Sequence, residues 1–243
     1  ITTPTLEEDL KENKAQINIK TDIINKSGSE KDITLNTKIL GKEGNTVAES
    51  TDKDFNQTIT VSNPKLWSVD NPYLYTAESN VIIDGNIVDT YKTTFGLRYT
   101  KFDANEGFSL NGEYMKLKGV CLHHDLGALG AAENTRAIER QLDMMKDMGV
   151  NAIRSSHNPA SKTMVELCNK KGLMLIEEAF DMWSMRKTNY DYAGAGYFKL
   201  YAEDDAKKMV ERDKNDPCVI MWSIGNEITW AEDNLESAEK LIN

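Results

Sequence analysis

No apolar run in this chain approaches the ~18 residues needed to cross a bilayer as a helix, so the sequence offers no candidate span of that kind. There is no excess of positive charge: 29 Lys and Arg stand against 39 Asp and Glu. A net charge of −10 and a sequence pI near 4.9 argue against nucleic acid or an anionic membrane surface as partner, because both favour a basic face. Cysteine is scarce: Cys121, Cys168 and Cys218 are odd in number, far apart and without CxxC spacing. That pattern excludes a disulfide framework and a zinc ribbon and leaves buried free thiols as the plain reading. There is no initial methionine and no signal-like segment before the first strand pattern. The expectation is therefore a piece of something longer, whose compartment the sequence does not give. Asn25-Lys26-Ser27 and Asn56-Gln57-Thr58 match the glycosylation triplet, a pattern that arises often by chance.

What is present falls into two halves with different periodicity. In the first, apolar residues alternate with polar ones: Ala15, Ile17, Ile19 and Ile23 share a face, as do Ile33, Leu35 and Ile39, then Phe55, Ile59 and Val61. Tyr73 to Val81 and Ile87 to Phe95 follow, joined at Asp84-Gly85-Asn86. Short half-buried strands with Gly, Asn and Asp turns predict an antiparallel β-sandwich over residues 1–98. Nothing in it clusters His, Cys or acidic residues with site-like spacing.

From Tyr99 the pattern becomes strand, helix, strand. Tyr114–Leu122 reads as a first strand, and Asn134 caps a helix bearing Ile138, Leu142 and Met145 that stops at Gly149. Residues 151–155 give a second strand, and Ser161 caps a helix that ends at Gly172. Residues 173–176 give a third strand, 201–213 a helix, 219–224 a fourth strand, and Asn234 opens another helix. Alternating strands and helices predict βαβ units and a parallel sheet.

The polar residues gather where these strands end. The first ends at His123-His124-Asp125, the second at Arg154 and His157-Asn158-Pro159. The third ends at Glu177-Glu178, with Asp181 and Trp183 beyond, and the fourth at Asn226-Glu227. Taken singly, each has a bland reading: a hydrogen-bonded core histidine, a counter-ion arginine, a packing tryptophan. Their joint placement is what an active site at the carboxyl ends of barrel strands produces. Glu177 and Glu178 are neighbours on a strand, so only one of them can face the mouth.

"WSIGNE" after a buried strand, "NAIRSSHNP" on the second strand and "SLNGEYMKLKGVCLHHD" on the first resemble glycoside hydrolase family 2, with its bacterial β-galactosidases and β-glucuronidases. "LWSVDNPYLY" and "FGLR" resemble the immunoglobulin-like sandwich that precedes the barrel in that family. The resemblance implies an immunoglobulin-like sandwich over 1–98 followed by the first half of a (β/α)8 TIM barrel over 99–243, against about 250 residues for a complete barrel. It implies a retaining exo-β-glycosidase with carbohydrate as partner. Glu227 is then the acid/base, Asn226 meets the sugar 2-hydroxyl, His123 and His157 bind hydroxyls, and Arg154 holds the nucleophile ionised. The nucleophile belongs to a later strand, so the piece alone is expected to be inactive. Asp181 and Trp183 are candidates for a hydroxyl acceptor and an aromatic platform, and His124 has no assigned role.

Several family members bind magnesium through a glutamate and a histidine after the third strand. Residues 180–185, Phe-Asp-Met-Trp-Ser-Met, contain neither. No metal or cofactor is therefore carried over. By the resemblance, "RSSHNP" favours a β-galactosidase or β-glucuronidase type over a β-mannosidase. β-Galactosidase is the leading expectation and β-glucuronidase the alternative, with a metal-dependent barrel hydrolase using His123, His157 and a third-strand carboxylate, or a non-catalytic carbohydrate-binding module, as further ones. A homo-oligomeric whole protein is compatible with all of them.

Overall fold

The computed structural model describes residues 1–183, 196–228 and 232–242. The chain divides into two compact units, Ile1–Lys116 and Leu117–Asn243. None of the described helices is long and apolar enough to cross a membrane.

In the first unit a short helix α1 (Leu6–Asp9) precedes β1 (Lys14–Lys20), which pairs antiparallel with β4 (Asn56–Ser62). A second antiparallel sheet runs β3 (Thr46–Asp52), β2 (Thr34–Leu40), β5 (Tyr75–Ile83), β6 (Asn86–Phe95) in that spatial order. Period-two alternation sends Ala15, Ile17, Ile19, Ile59 and Val61 from one sheet, and Ile39, Tyr75, Ala77 and Phe95 from the other, into one buried cluster. At about 1.5–3 kcal/mol for each large apolar side chain removed from water, that cluster is what holds the two sheets face to face. The turn between β5 and β6 has positive φ at Asp84 (51°) and Gly85 (76°), as a two-residue hairpin turn with matching twist requires.

Two motifs read from the sequence act as fasteners in this unit. The Trp67 N–H donates to the Leu97 carbonyl at 2.8 Å, and the Asn111 amide reaches the Trp67 carbonyl at 3.0 Å. The ring of Trp67 is fully buried. Strand β3 was not expected, and its sequence explains why. It is an edge strand with mostly exposed residues, Thr-Val-Ala-Glu-Ser-Thr-Asp, and so carries no alternation to read.

The expected strand over 114–122 is two elements. A small antiparallel sheet of β7 (Thr100–Asp103), β8 (Gly107–Leu110) and β9 (Glu113–Tyr114) ends with the Met115 N–H on the Phe108 carbonyl. The Lys118 N–H instead meets the Asn151 side chain, 2.7 Å away, and β10 (Gly119–Leu122) begins there. The two ends pair with different partners, so the extended run breaks between them.

The second unit is a four-stranded parallel sheet in the order β10, β11 (Ala152–Ser155), β12 (Met174–Glu178), β13 (Val219–Ser223). Between successive strands run α2 (Thr135–Asp147), α3 (Lys162–Lys171) and α4 (Tyr197–Asp213), and α5 (Glu232–Ile242) follows β13. The expected caps are in place. Asn134 Oδ1 accepts from the Ala137 N–H, Ser161 Oγ accepts from the Met164 N–H, and Gly172 ends α3 with φ 70°. Ile138, Leu142, Val165, Leu167 and Cys168 on the helices are buried, as are Ile153, Met174 and Leu175 on the strands. The antiparallel sheets are thus followed by a four-stranded parallel sheet, all of whose strands have their carboxyl ends on one edge.

Candidate active site at the strand ends

The adjacent carboxyls at the end of β12 separate as strand geometry demands. Glu178 is fully buried and sits at the centre of the site. Its Oε2 accepts from Arg154 Nε at 2.9 Å, Arg154 Nη2 at 2.7 Å and Ser223 Oγ at 2.7 Å. Its Oε1 lies 2.6 Å from His157 Nδ1, and its own N–H donates to Ser155 Oγ at 2.9 Å. Strands β11, β12 and β13 therefore converge on one carboxyl group. The hydrogen bond to Glu178 also raises the Arg154 guanidinium above the usual arginine range, with burial opposing.

Arg154 Nη2 reaches a second acceptor, Asn226 Oδ1, at 3.0 Å. The Asn226 amide nitrogen donates to Asp181 Oδ1 at 2.9 Å, and its main-chain N–H donates to the Asp181 carbonyl at 2.6 Å. Asn226 is thus fixed from both ends, one by Arg154 and the other by Asp181. The turn that brings it there needs Gly225: a Cβ at that position would stand 2.7 Å from Ile228 Cδ1 and 2.7 Å from the Trp183 indole nitrogen. Glu227 follows in the left-handed region, φ 49°, with its side chain exposed.

His123, exposed at the end of β10, meets the ring of His157 edge-on, centroids 5.1 Å apart. Arg154, His157, Asn226, Asp181 and His123 therefore stand in one chain of contacts, with Glu227 next to Asn226 in sequence. His124 lines a cavity of about 160 Å³ beside the loop that follows β10. Among the described residues, no group of three or more His, Cys, Asp or Glu is placed to hold a metal ion. Ser184 and Met185, the last two residues of the stretch read for metal ligands, lie outside the described residues.

One expectation is corrected. Trp183 is 3% exposed, stacks on Phe198 at 5.6 Å and donates its indole N–H to the Ile224 carbonyl at 2.8 Å. Packed in the core cluster with Phe180 and Phe198, it presents no open face for a sugar. Two contributors went unread, Ser155 and Ser223. Both are hydroxyls at strand ends in "RSSHNP" and "WSIGNE", and the register pairing Glu178 with Ser223 is what turns the second toward the carboxyl.

Glu177 points to the other side of the sheet and is also fully buried. Its Oε1 accepts from the Ala160 N–H at 2.8 Å and lies 3.5 Å from Arg212 Nη2. Burial first, then the nearby Asp213 and Asp216, push its carboxyl up to about 7, with the Ala160 N–H and Arg212 opposing. Folding thus favours the protonated acid, and the resulting stability is fully present below pH ~4.5 and lost as the pH rises through about 7. At ~1.4 kcal/mol per pKa unit the loss is on the order of 3 kcal/mol. Urea unfolding at pH 5 and pH 8 should show it, and Glu177→Gln should remove most of the difference. An equal loss in the variant would assign the pH dependence to other groups.

Comparison with known proteins identifies the family. Residues 104–242 match the model of "Glycosyl hydrolases family 2, TIM barrel domain", and residues 1–98 match "Glycosyl hydrolases family 2". The chain is 42% identical to the β-galactosidase BoGH2A of Bacteroides ovatus, over 96% of this chain and 29% of that protein. It is 36% identical to a putative β-glucuronidase of Formosa agariphila, over 82% of this chain and 20% of that one. A crystal structure of a glycosyl hydrolase family 2 member from Bacteroides cellulosilyticus superposes with a TM-score of 0.88 at 39% identity, covering 94% of this chain and 31% of that one. The chain thus spans under a third of the length of each of these relatives. With both units matched by models of one family, and the strand-end cluster built on the motifs that first suggested it, this chain belongs to glycosyl hydrolase family 2.

Proposed function

We propose that this chain supplies the acid/base half of a retaining exo-β-glycosidase, and that the whole protein acts on terminal β-galactosides. The observation that carries the reading is the hydrogen-bonded chain His157–Glu178–Arg154–Asn226–Asp181 at the carboxyl ends of three parallel strands, with Glu227 directly after Asn226. In a double displacement Glu227 protonates the departing glycosidic oxygen, then deprotonates the attacking water. The nucleophile comes from a strand outside these residues, about 5–5.5 Å from the acid/base carboxyl. Asn226, fixed by Asp181 and Arg154, offers its amide to the sugar 2-hydroxyl without having to reorganise. His157, with Nδ1 on Glu178, has Nε2 left for a hydroxyl, and His123 flanks it. Arg154 places positive charge at the floor of the site, where it favours an ionised nucleophile. We assign the sandwich to the immunoglobulin-like class, with domains over 1–98 and 99–243.

A β-galactosidase is favoured by the greater likeness to the Bacteroides ovatus enzyme. β-Glucuronidase is the second reading, supported by the 36% identity to the Formosa agariphila protein. Steady-state kinetics on nitrophenyl β-galactoside and β-glucuronide decide between them. In a complete enzyme carrying this chain, His157→Ala and Asn226→Ala should each lower kcat/KM by about 2–4 kcal/mol in barrier terms, as for contacts strengthened in the transition state. Wild-type kcat/KM in both variants would end the assignment of this cluster as the sugar site.

A further inference from the structure

The loop that carries His157 is held at both ends. The Ser156 N–H donates to the Leu122 carbonyl at 3.0 Å. Pro159 has no N–H to offer, so the next firm tether is Ala160. Its N–H donates to Glu177 Oε1 at 2.8 Å, and its carbonyl accepts from Arg212 Nη2 at 2.7 Å. Arg212 is itself fixed, donating from Nε to Asp213 Oδ1 at 2.8 Å and from Nη2 to Asp213 Oδ2 at 2.5 Å. Glu177 and Glu178 are consecutive on β12 and grip the same loop from opposite faces, one at its base and one at the His157 ring. Glu177 Oε2, buried, has no hydrogen-bond partner among the described residues. A carboxyl kept in such a place needs a reason beyond packing, because an unpartnered buried oxygen is costly.

We propose that Glu177 and Arg212 are positioning residues that, by clamping the Ala160 main chain, set where His157 stands against Glu178. The inference rests on the functional reading above. Neither residue touches substrate; Glu177 lies across the sheet from the site and Arg212 is on α4. Their effect runs through three residues of loop, Asn158, Pro159 and Ala160, to one imidazole. Misplacing a group by about 1 Å can cost up to about 10²-fold in rate, so the clamp is large enough in principle to be read in kinetics.

The test uses a complete enzyme carrying this chain and three variants. Glu177→Leu removes the acceptor for Ala160 and should lower kcat about 10–10²-fold, with a smaller change in KM. Glu177→Gln restores an acceptor oxygen and should recover most of that loss. A purely structural role would give a lower Tm in the leucine variant, with kcat per folded molecule unchanged. Should Glu177→Leu fail to fold, Arg212→Lys takes its place: it keeps a cation beside Asp213 but lacks the fork that reaches the Ala160 carbonyl. It should lower kcat in the same sense. Histidine-selective NMR, with the His157 signal identified by its loss in His157→Asn, reads the same clamp without turnover. The signal should shift in Glu177→Leu or Arg212→Lys and return in Glu177→Gln. A wild type that hydrolyses no aryl β-glycoside would sink the functional reading, while the histidine signal would still decide the clamp. Unchanged kcat together with an unmoved His157 signal overturns the proposal.

Discussion

Glu227→Gln in a complete enzyme carrying this chain should cut turnover of glycosides with poor leaving groups by about 10²–10⁴-fold, the contribution of a positioned general acid. Glu227 is the first carboxyl after the Gly225–Asn226 turn, and Asn226 is fixed to Asp181 and Arg154. The amide variant keeps the shape of the side chain but has no proton to give to the leaving oxygen. Nitrophenyl glycosides, whose leaving groups depart without protonation, should lose much less in the first step. Hydrolysis of the glycosyl intermediate should then limit the rate, because the same side chain has to deprotonate water. Added azide, a nucleophile that needs no general base, should restore turnover and release a glycosyl azide. Equal losses on both kinds of substrate, with no azide effect, would falsify the acid/base role and leave Glu227 as an exposed turn residue.

Much of this site was legible because strand ends in a parallel sheet are marked in sequence by the switch from apolar runs to polar residues. Val219–Ser223 followed by Asn226, and Ala152–Ser155 followed by His157, carry that mark. Asn134, Ser161 and Gly172 were legible for a local reason: caps are satisfied by residues within one turn. The parts that escaped depend on register or on distant packing. Which of Glu177 and Glu178 faces the mouth is set by one residue of register. Trp183 looked like a sugar platform because it follows a strand end; Phe198, fifteen residues further along the chain, claims its ring instead. Edge strand β3, mostly exposed and with only Val47 and Ala48 apolar, has no alternation that a sequence reading can use. The break between β9 and β10 was hidden because both halves are extended and differ only in their partners.

Glu178 is the residue whose loss should cost the fold most. It is fully buried and satisfies two nitrogens of Arg154, the Ser223 hydroxyl and His157. Glu178→Leu leaves a guanidinium that is 31% exposed, with Asn226 Oδ1 and the Cys121 sulfur as its remaining acceptors at the site. Removing one partner of a fully buried pair costs about 3–5 kcal/mol; with Arg154 partly open to water, the loss here is on the order of 1–3 kcal/mol. Replacing both partners costs far less. Arg154→Leu combined with Glu178→Leu should therefore be more stable than the sum of the single variants by about 0.5–3 kcal/mol, the range for residues in direct contact. Urea unfolding of the four proteins at one pH measures that coupling, and strictly additive losses would mean that the pair does not act as a unit. The double variant also separates stability from function. It should fold and yet hydrolyse no glycoside, since Asn226 loses the donor that sets its amide and His157 loses the acceptor on Nδ1. A folded and active double variant would place the working residues elsewhere along the strand ends.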